Sequence, residues 1–341
     1  MPRTDHAATD TSLLDITGLK VRFDSRDGTE LTAVDGISIR ITENQVHGLI
    51  GESGSGKTVT ALACMGLLDA NARIAGTVNW RGKPMLGARE REWQRVRGRG
   101  MAMMFQNSVG SLNPALRIGR QLIRVFRLHH DVDEATANGR VIELLGAVQL
   151  ADPERVMRLY VHECSGGMAQ RICLAMTLAC SPDLLIADEP TSSVDVTVAS
   201  QLIDLLRRTV RERRFSMLVI THDLGVARRL CDIVSVMYNG RIVEQGPALS
   251  VLTDPQHPYS KMLREAATWN RDSNDLPEIR TIVEKARPMN LDGCRFQQRC
   301  PEAIDKCITS EPPLENCVQS GHKCACWLAI PSDTCNVSPV R

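Results

Sequence analysis

Gly51-Glu52-Ser53-Gly54-Ser55-Gly56-Lys57-Thr58 is the stretch on which the reading of this chain turns. It fits G-x-x-x-x-G-K-[ST], the phosphate-binding P-loop. The chemistry needs these residue types at this spacing. Gly51, Gly54 and Gly56, with Ser53 and Ser55 between them, let the backbone curl so that successive N–H groups point inward at phosphate oxygens. A helix after the loop aims its positive end at the same anion. Lys57 is expected to reach the β- and γ-phosphates, and the Thr58 hydroxyl to ligate Mg2+. The flanks agree: Val46 to Ile50 reads as a short buried strand and Val59 to Leu68 as a helix. A glycine-rich loop alone reads equally as a solvent turn; strand, loop and helix in this order favour phosphate. The loop says nucleotide, without saying what the energy is used for.

The 341 residues suffice for about two or three domains. The hydrophobic fraction, 43%, suits a well-cored soluble protein. A net charge of +1 leaves no global field to attract nucleic acid or an anionic membrane. Met1 to Leu14 is polar and does not read as a signal peptide. No run approaches the ~20 apolar residues that span a bilayer; the most apolar, Ile172 to Ala187, is interrupted at Ser181-Pro182-Asp183. The chain is expected to be cytosolic, or peripheral on the cytosolic side of a membrane.

Residues 13–50 alternate apolar and polar, with turn signals at Asp24-Ser25-Arg26-Asp27-Gly28 and Asp35-Gly36, so an antiparallel set should lead into the P-loop strand. Phe23, its only aromatic, either stacks on an adenine ring or fills a strand core. Gly76 to Gly82 reads as a strand and turn. Residues 89–99 hold five arginines; a solvated helix face fits better than a nucleic-acid patch, because Glu90 and Glu92 are interleaved and aromatics are nearly absent. Met101 to Phe105 is a short buried strand ending at Gln106, followed by the turn residues Asn107-Ser108-Val109-Gly110. Ile118 to Leu159 is helical with breaks near Asp131 and Pro153. Strands at 183–189, 217–221, 233–237 and 241–244 alternate with helices at 165–180 and 198–211, and Asn239-Gly240 should turn a hairpin. The core is therefore α/β with a mainly parallel sheet and a helical insert. The last 80 or so residues turn to proline, cysteine and charge and read as a separate small domain.

Asp188 follows four apolar residues at a strand end, where a carboxylate would hold Mg2+; Glu189 beside it is placed to orient or deprotonate an attacking water. Ser165-Gly166-Gly167 opens a helix and is a second phosphate cradle. One γ-phosphate has no room for two cradles from one chain, which points to a dimer. Gln106 and His222 end separate strands and could sense the γ-phosphate, although a lone His is more often structural.

The order P-loop, Gln106, Ser165-Gly166-Gly167, Asp188-Glu189, Asp195 in Ser192-Ser193-Val194-Asp195, and His222 resembles the ATP-binding cassette (ABC) family over about residues 11–258. Finer motifs look like the ATPase subunits of oligopeptide, dipeptide and nickel importers: Phe105-Gln106 with Ser111-Leu112-Asn113-Pro114, Ala187 to Thr191, Asp195 to Val198, and His257-Pro258-Tyr259-Ser260. So does the tail, with Gly293-Cys294, Arg299-Cys300-Pro301, Glu311-Pro312-Pro313-Leu314 and Gly321-His322. The resemblance implies a cassette of mixed, mainly parallel sheet with an antiparallel β subdomain, a helical insert at about 107–180, and a cysteine-rich C-terminal domain at 259–341. It implies two ATPase subunits, often paralogues in a heterodimer, that sandwich two ATP molecules with Mg2+ between P-loop and Ser-Gly-Gly. Closure would drive two membrane permeases fed by a solute-binding protein, from the cytoplasmic face of the inner membrane and without nucleic acid. Gln106, with Thr58 and Asp188, would serve Mg2+; His222 would hold the γ-phosphate; Asp195 would link the two sites. A soluble cassette acting on DNA or ribosomes and an exporter ATPase are the competing classes; one P-loop, a short insert and the tail argue against them. The solute, whether peptide, nickel chelate or opine-like, is not named by the sequence. Cys164 stands where leucine is usual, Met168 where glutamine is frequent, and Asn44 where a turn glycine is common; Asn tolerates a left-handed turn.

Seven of the 12 cysteines lie between Cys294 and Cys335. The others (Cys64, Cys164, Cys173, Cys180, Cys231) sit in apolar or helical contexts and look like small core residues. A reducing compartment argues against a disulfide framework. Cys294, Cys300, Cys307 and Cys326 match the pattern that holds a [4Fe–4S] cluster in some peptide-importer ATPases. Zinc is the alternative, with Cys317, Cys324 and His322 as further candidates, and reduced cysteines packing a small domain is the third reading. Cys335 is expected to be free.

Overall fold

The apolar run ahead of the phosphate loop becomes the middle of a sheet. In the computed structural model the described residues are 12–24, 30–107, 110–192, 194–269, 292–317 and 321–330. The chain opens with β1 (Ser12–Asp24), β2 (Glu30–Thr42), β3 (Val46–Ile50), α1 (Lys57–Met65), β4 (Ala72–Trp80) and β5 (Lys83–Pro84). It continues through α2 (Glu90–Val96), β6 (Met101–Met104), α3 (Ile118–His129), α4 (Glu134–Ala147), α5 (Pro153–Arg158) and α6 (Gly166–Ala179). Then come β7 (Leu184–Asp188), α7 (Val196–Arg213), β8 (Ser216–Thr221), α8 (Leu224–Leu230), β9 (Ile233–Tyr238) and β10 (Arg241–Pro247). The tail adds α9 (Ala248–Thr253), α10 (Pro258–Trp269), α11 (Asp305–Thr309), β11 (Glu315–Asn316) and β12 (Lys323–Cys324).

Two sheets form, in the orders β2-β1-β4-β5 and β11-β12-β10-β9-β3-β8-β7-β6. The first is antiparallel. In the second, β9, β3, β8, β7 and β6 run parallel, and β10, β12 and β11 add antiparallel strands at one side. The central strands are buried on both faces, which is why they read as unbroken apolar runs. Their alternate side chains serve different cores. Leu184, Ile186, Leu218 and Ile220 face the antiparallel sheet and α1. Leu185, Ala187, Met217 and Val219 face the helices α3, α4, α6 and α7. A third cluster joins Ile50, Val234, Val236 and Tyr238 to Tyr259 and the tail's Phe296.

Helix boundaries follow local chemistry. The Asp133 carboxylate accepts from Thr136 N and starts α4; Asp152 accepts from Arg155 N, with Pro153 in the first turn of α5. These are the two breaks expected near 131 and 153. Asn239 (φ +42°) and Gly240 (φ +80°) make the hairpin turn between β9 and β10. Asn44 takes the left-handed conformation, φ +60°. The phosphate-loop helix begins two residues earlier than expected, at Lys57, and ends at Gly66. Gly66 is left-handed, and a Cβ there would meet the Trp93 ring at 2.5 Å.

One expected turn is corrected. Asp35-Gly36 lies inside β2, where the pairing shifts from Lys20 opposite Asp35 to Leu19 opposite Ile37. Gly36 at φ +78° supplies a bulge. A glycine inside an alternating strand marks a bulge as readily as a turn. Residues 25–29, most of the other expected turn, lie outside the described residues, although Asp24 pairs with Glu30 across it. Ser108, Val109, Ser193 and Cys335 also lie outside them.

Of the five arginines at 89–99, Arg97 has a structural task. Its guanidinium caps α1, with Nε donating to Met65 O (2.9 Å) and Nη2 to Gly66 O (2.7 Å), and it pairs with Glu90.

Candidate functional site

The sheet register gathers the carboxyl ends of four parallel strands. Ile50 is level with Thr221, Asp188 with Ile220, and Met104 with Ala187. The residues that follow, namely Gly51, His222, Glu189 and Phe105-Gln106, therefore emerge along one edge. This is where an open α/β sheet binds ligands.

The loop's shape depends on missing side chains. At Gly51 (φ +154°) a Cβ would lie 2.1 Å from Met237 O, and at Gly56 (φ +105°) 2.4 Å from Ala33 O. The loop is thus pressed against β9 and β2. Gly240 N donates to Ser55 O at 2.9 Å. Lys57 is buried; its ammonium donates to Gly51 O (2.8 Å) and Glu52 O (2.7 Å) and lies 3.4 Å from Ser55 Oγ. Burial pulls its pKa below the usual lysine value, while Glu189, Asp188 and Glu52 pull it back up. Gly56 offers no side-chain cap to α1, so the helix's first N–H groups remain for an anion.

Asp188 is 2% exposed, and its Oδ1 is buried without a hydrogen-bond partner. Burial raises its pKa and Glu189 adds to the rise; the Thr58 hydroxyl, hydrogen-bonded to it, and Lys57 oppose. An orphaned buried carboxylate oxygen beside a threonine hydroxyl suits a small hard cation such as Mg2+. Glu189 turns left-handed, φ +48°, an uncommon backbone for this residue and the sort of strain that gathers at functional sites. Its N–H donates to Ile220 O, and its Oε1 lies 2.8 Å from His222 Nδ1. His222 is otherwise exposed.

Other expected residues stand apart. Gln106 is exposed two residues beyond β6, whose last residue, Met104, is level with Ala187. Phe23 is half-buried against the β-subdomain core, opposite Leu31 and Ala72. Ser165 Oγ accepts from Met168 N (3.2 Å) and starts α6, while Gly167 packs near Val198 and Val194. No hydrogen bond joins 165–167 to 51–58 among the described residues. Asp195 caps α7 through Thr197 N and Val198 N, both 3.0 Å. Cys164 packs half-buried beside the helical core, its Sγ 3.5 Å from Tyr160 O.

Three contacts lie beyond the sequence reading. Glu52 N donates to the hydroxyl of buried Tyr259 at 2.9 Å. The Glu52 carboxylate takes both arms of Arg299 at 2.9 and 3.0 Å. Arg295 donates to Asn239 O at 3.0 Å and pairs with Asp35. A signal existed: an acidic side chain within an anion-binding loop calls for a cation. Nothing local said that the cation stands 247 residues away.

The tail's Cys294, Cys300, Cys307 and Cys326 line one pocket together with Glu302, Phe296 and Trp327. Burial pushes the Cys294 thiol up to about 11, and the other three cysteines add to the rise. Cys300 and Cys326 are raised by burial as well. Among the described residues no group of three or more His, Cys, Asp or Glu is arranged to hold a metal ion. Cys317 Sγ hydrogen-bonds to His322 O, and His322 Nε2 lies 2.7 Å from the fully buried Glu244, so neither faces that pocket.

Comparison with known proteins now adds to this geometry. Solved structures share the fold. The dimeric cassette MJ0796 aligns with a TM-score of 0.62 at 21% identity, over 69% of this chain and 98% of that one. The cbiO1 cassette from Clostridium perfringens gives 0.59 at 24%, over 72% and 92%. The fold is that of an ATP-binding cassette. The model of the ABC transporter family matches residues 34–192, and that of the oligopeptide/dipeptide transporter C-terminal region matches 243–307. The oligopeptide transport ATP-binding protein OppD of Salmonella typhimurium is 43% identical, over 89% of this chain and 90% of that protein. The probable D,D-dipeptide transport ATP-binding protein DdpD of Escherichia coli is 38% identical over 92% and 96%. The chain belongs to the ABC transporter family, among its oligopeptide-type ATP-binding proteins. It is an importer ATPase whose class binds ATP with Mg2+ and couples hydrolysis to transport. No helix among the described residues is long and apolar enough to cross a membrane.

The raised pKa of Asp188 has a measurable consequence. Ionising this group costs the fold stability; the cost is absent below the ordinary carboxylate range and complete once pH passes the folded value. Asp188→Asn should therefore melt at a higher temperature than the parent at pH 7 without nucleotide, and the gap should shrink on acidification. The stabilisation that Mg–ADP adds to the parent should be lost in the variant. Calorimetry that finds Asp188→Asn less stable than the parent at pH 7 would contradict this account.

Proposed function

We propose that this chain powers the uptake of peptides or a related small solute as one of two cassettes that close on ATP. One observation carries the two-cassette reading. The N-terminus of α6 exposes Ser165 and Gly166, and among the described residues no hydrogen bond joins that segment to the P-loop of its own chain. A second anion cradle in one chain finds its nucleotide on a partner. The partner is a second ATPase subunit, a paralogue in a heterodimer. Two integral permeases and, through them, a solute-binding protein complete the system, with this chain on the cytoplasmic face of the membrane. The C-terminal match favours a peptide-type importer over an exporter or a cassette working on DNA or ribosomes.

Residue roles follow from position. The backbone of Gly51 to Gly56 and the ammonium of Lys57 take the phosphates, and Phe23 of β1 is the adenine contact. Asp188, Thr58 and Gln106 would hold Mg2+, which would supply neutralisation of the charge that develops on the transferred phosphate. Glu189 orients a water in line with the γ-phosphorus and accepts its proton as the water oxygen bonds to phosphorus and the bond to ADP breaks. With both ring nitrogens protonated, His222 holds Glu189 through Nδ1–H and donates its other N–H to a γ-phosphate oxygen. Asp195, exposed at the start of α7, faces the partner site.

The four pocket cysteines form a donor set for a [4Fe–4S] cluster. Thiols held protonated by burial and by one another lose their protons to a metal cluster. The shared pocket of the four cysteines is what supports this reading, and zinc on the same thiolates is the alternative.

Purification from membranes should recover the chain with two integral permeases; recovery only with ribosomes or nucleoid would overturn the importer reading. Glu189→Gln should bind ATP, accumulate as a closed dimer and hydrolyse at least about 100-fold more slowly. Unchanged turnover would remove Glu189 from catalysis. Anaerobically purified protein should carry about four iron and four sulfide per chain. One zinc in colourless protein would establish the alternative, and metal-free folded protein would exclude both.

A further inference from the structure

The tail grips the phosphate loop at two points. Arg299 forks onto the Glu52 carboxylate at 2.9 and 3.0 Å, and Tyr259 accepts the Glu52 N–H. Arg295, four residues earlier in sequence, holds Asn239 O at 3.0 Å, and the next residue, Gly240, donates to Ser55 O. Arg299 is itself fixed. Its guanidinium lies 5.7 Å from the Tyr238 ring centroid and 5.8 Å from that of Phe296, and it reaches the Tyr238 hydroxyl at 3.5 Å. Tyr238, Tyr259 and Phe296 pack together, with centroids 4.6 to 5.5 Å apart.

This arrangement answers an electrostatic problem. Glu52 is a carboxylate in a loop built to receive polyphosphate, and unneutralised it repels that ligand. Its carbonyl and that of Gly51 also hold the Lys57 ammonium. A loop anchored at both the backbone and the side chain of Glu52 keeps those carbonyls, and the N–H groups between them and α1, in one arrangement before the nucleotide arrives. Preorganisation of this kind strengthens binding by cutting the ordering cost.

We propose that Arg299 is a positioning residue for nucleotide binding, acting through Glu52 from the C-terminal tail. The proposal rests on the P-loop being the nucleotide site. It assigns the tail a part in each ATP-binding event, in addition to any metal it carries. A purely structural ion pair would dock the tail and leave the affinity of folded protein unchanged. A positioning pair makes Arg299→Ala worse than the loss of both charges, because it alone leaves Glu52 uncompensated beside the phosphates.

Mg–ADP and Mg–ATP are titrated into the full-length chain by calorimetry, well below each variant's melting temperature. Arg299→Ala should bind about tenfold more weakly, as expected for one uncompensated charge within several ångströms of the phosphates. Arg299→Lys, with the charge but without the fork, should fall between. Glu52→Gln in the Arg299→Ala background should recover much of the loss. In turnover assays the loss should appear in KM for ATP, with kcat within about twofold. Parental affinity in Arg299→Ala, or no recovery on adding Glu52→Gln, would overturn the proposal. If Arg299→Ala does not fold, the comparison of Arg299→Lys with Glu52→Gln/Arg299→Lys decides by the same sign. Failure of the unaltered chain to bind either nucleotide would instead remove the nucleotide-site reading.

Discussion

An anion-binding loop is a ring of backbone N–H groups left without protein partners, and something other than its ligand has to hold it open. Here that task falls to close backbone packing. Gly51 lies where any side chain would strike Met237 O, and Gly56 where it would strike Ala33 O. The loop is wedged between β9 of the large sheet and β2 of the small one. This accounts for the juxtaposition of the two sheets and for the helix at Lys57, whose uncapped first turn completes the ring. The parallel strands then bring Asp188, Glu189 and His222 to the same edge by register alone.

The cost of this site is visible in its buried charges. Lys57 and Asp188 are both pulled toward their neutral forms by burial, and Asp188 keeps an unpartnered oxygen. Glu189 sits in a backbone conformation that a side chain seldom adopts. None of this serves stability without nucleotide, and each feature suits a site completed by a cation and phosphates. The apolar runs Leu184–Asp188 and Ser216–Thr221, buried on both faces, supply a rigid base for it.

Much of the architecture was legible because it is local. The strand before the loop, the helix after it, the breaks in the helical insert and the Asn239-Gly240 turn each follow from a few adjacent residues. The strand-end residues Asp188, Glu189 and His222 could be aligned because parallel strands place their carboxyl ends together. Asp35-Gly36 was misread because a glycine within an alternating pattern marks a bulge as readily as a turn, and only the pairing with Leu19 and Lys20 separates the two. Ser165 to Gly167 was recognisable as a helix start. That it makes no hydrogen bond with its own chain's loop needed coordinates. Long-range partners were beyond reach: no pattern in residues 292–301 says which charge each arginine meets.

Glu52 shows how those two levels connect. Read locally, an acidic residue in the loop is neutral to the motif, since any residue is allowed there. Read electrostatically, it is a defect in an anion site unless a cation lies against it. The tail supplies that cation, seats it on the rings of Tyr238 and Phe296, and spends Tyr259 on the same residue's N–H. His257-Pro258-Tyr259 in turn is held by Glu244, which is wholly buried and accepts from Gln256 N, His257 N and the tail's His322. Strand β10 of the large sheet thus carries one carboxylate that ties α10 to the tail, while the phosphate loop carries another that ties the loop to the tail. A cassette closed in this way cannot move its tail without changing the charge felt at its phosphate loop.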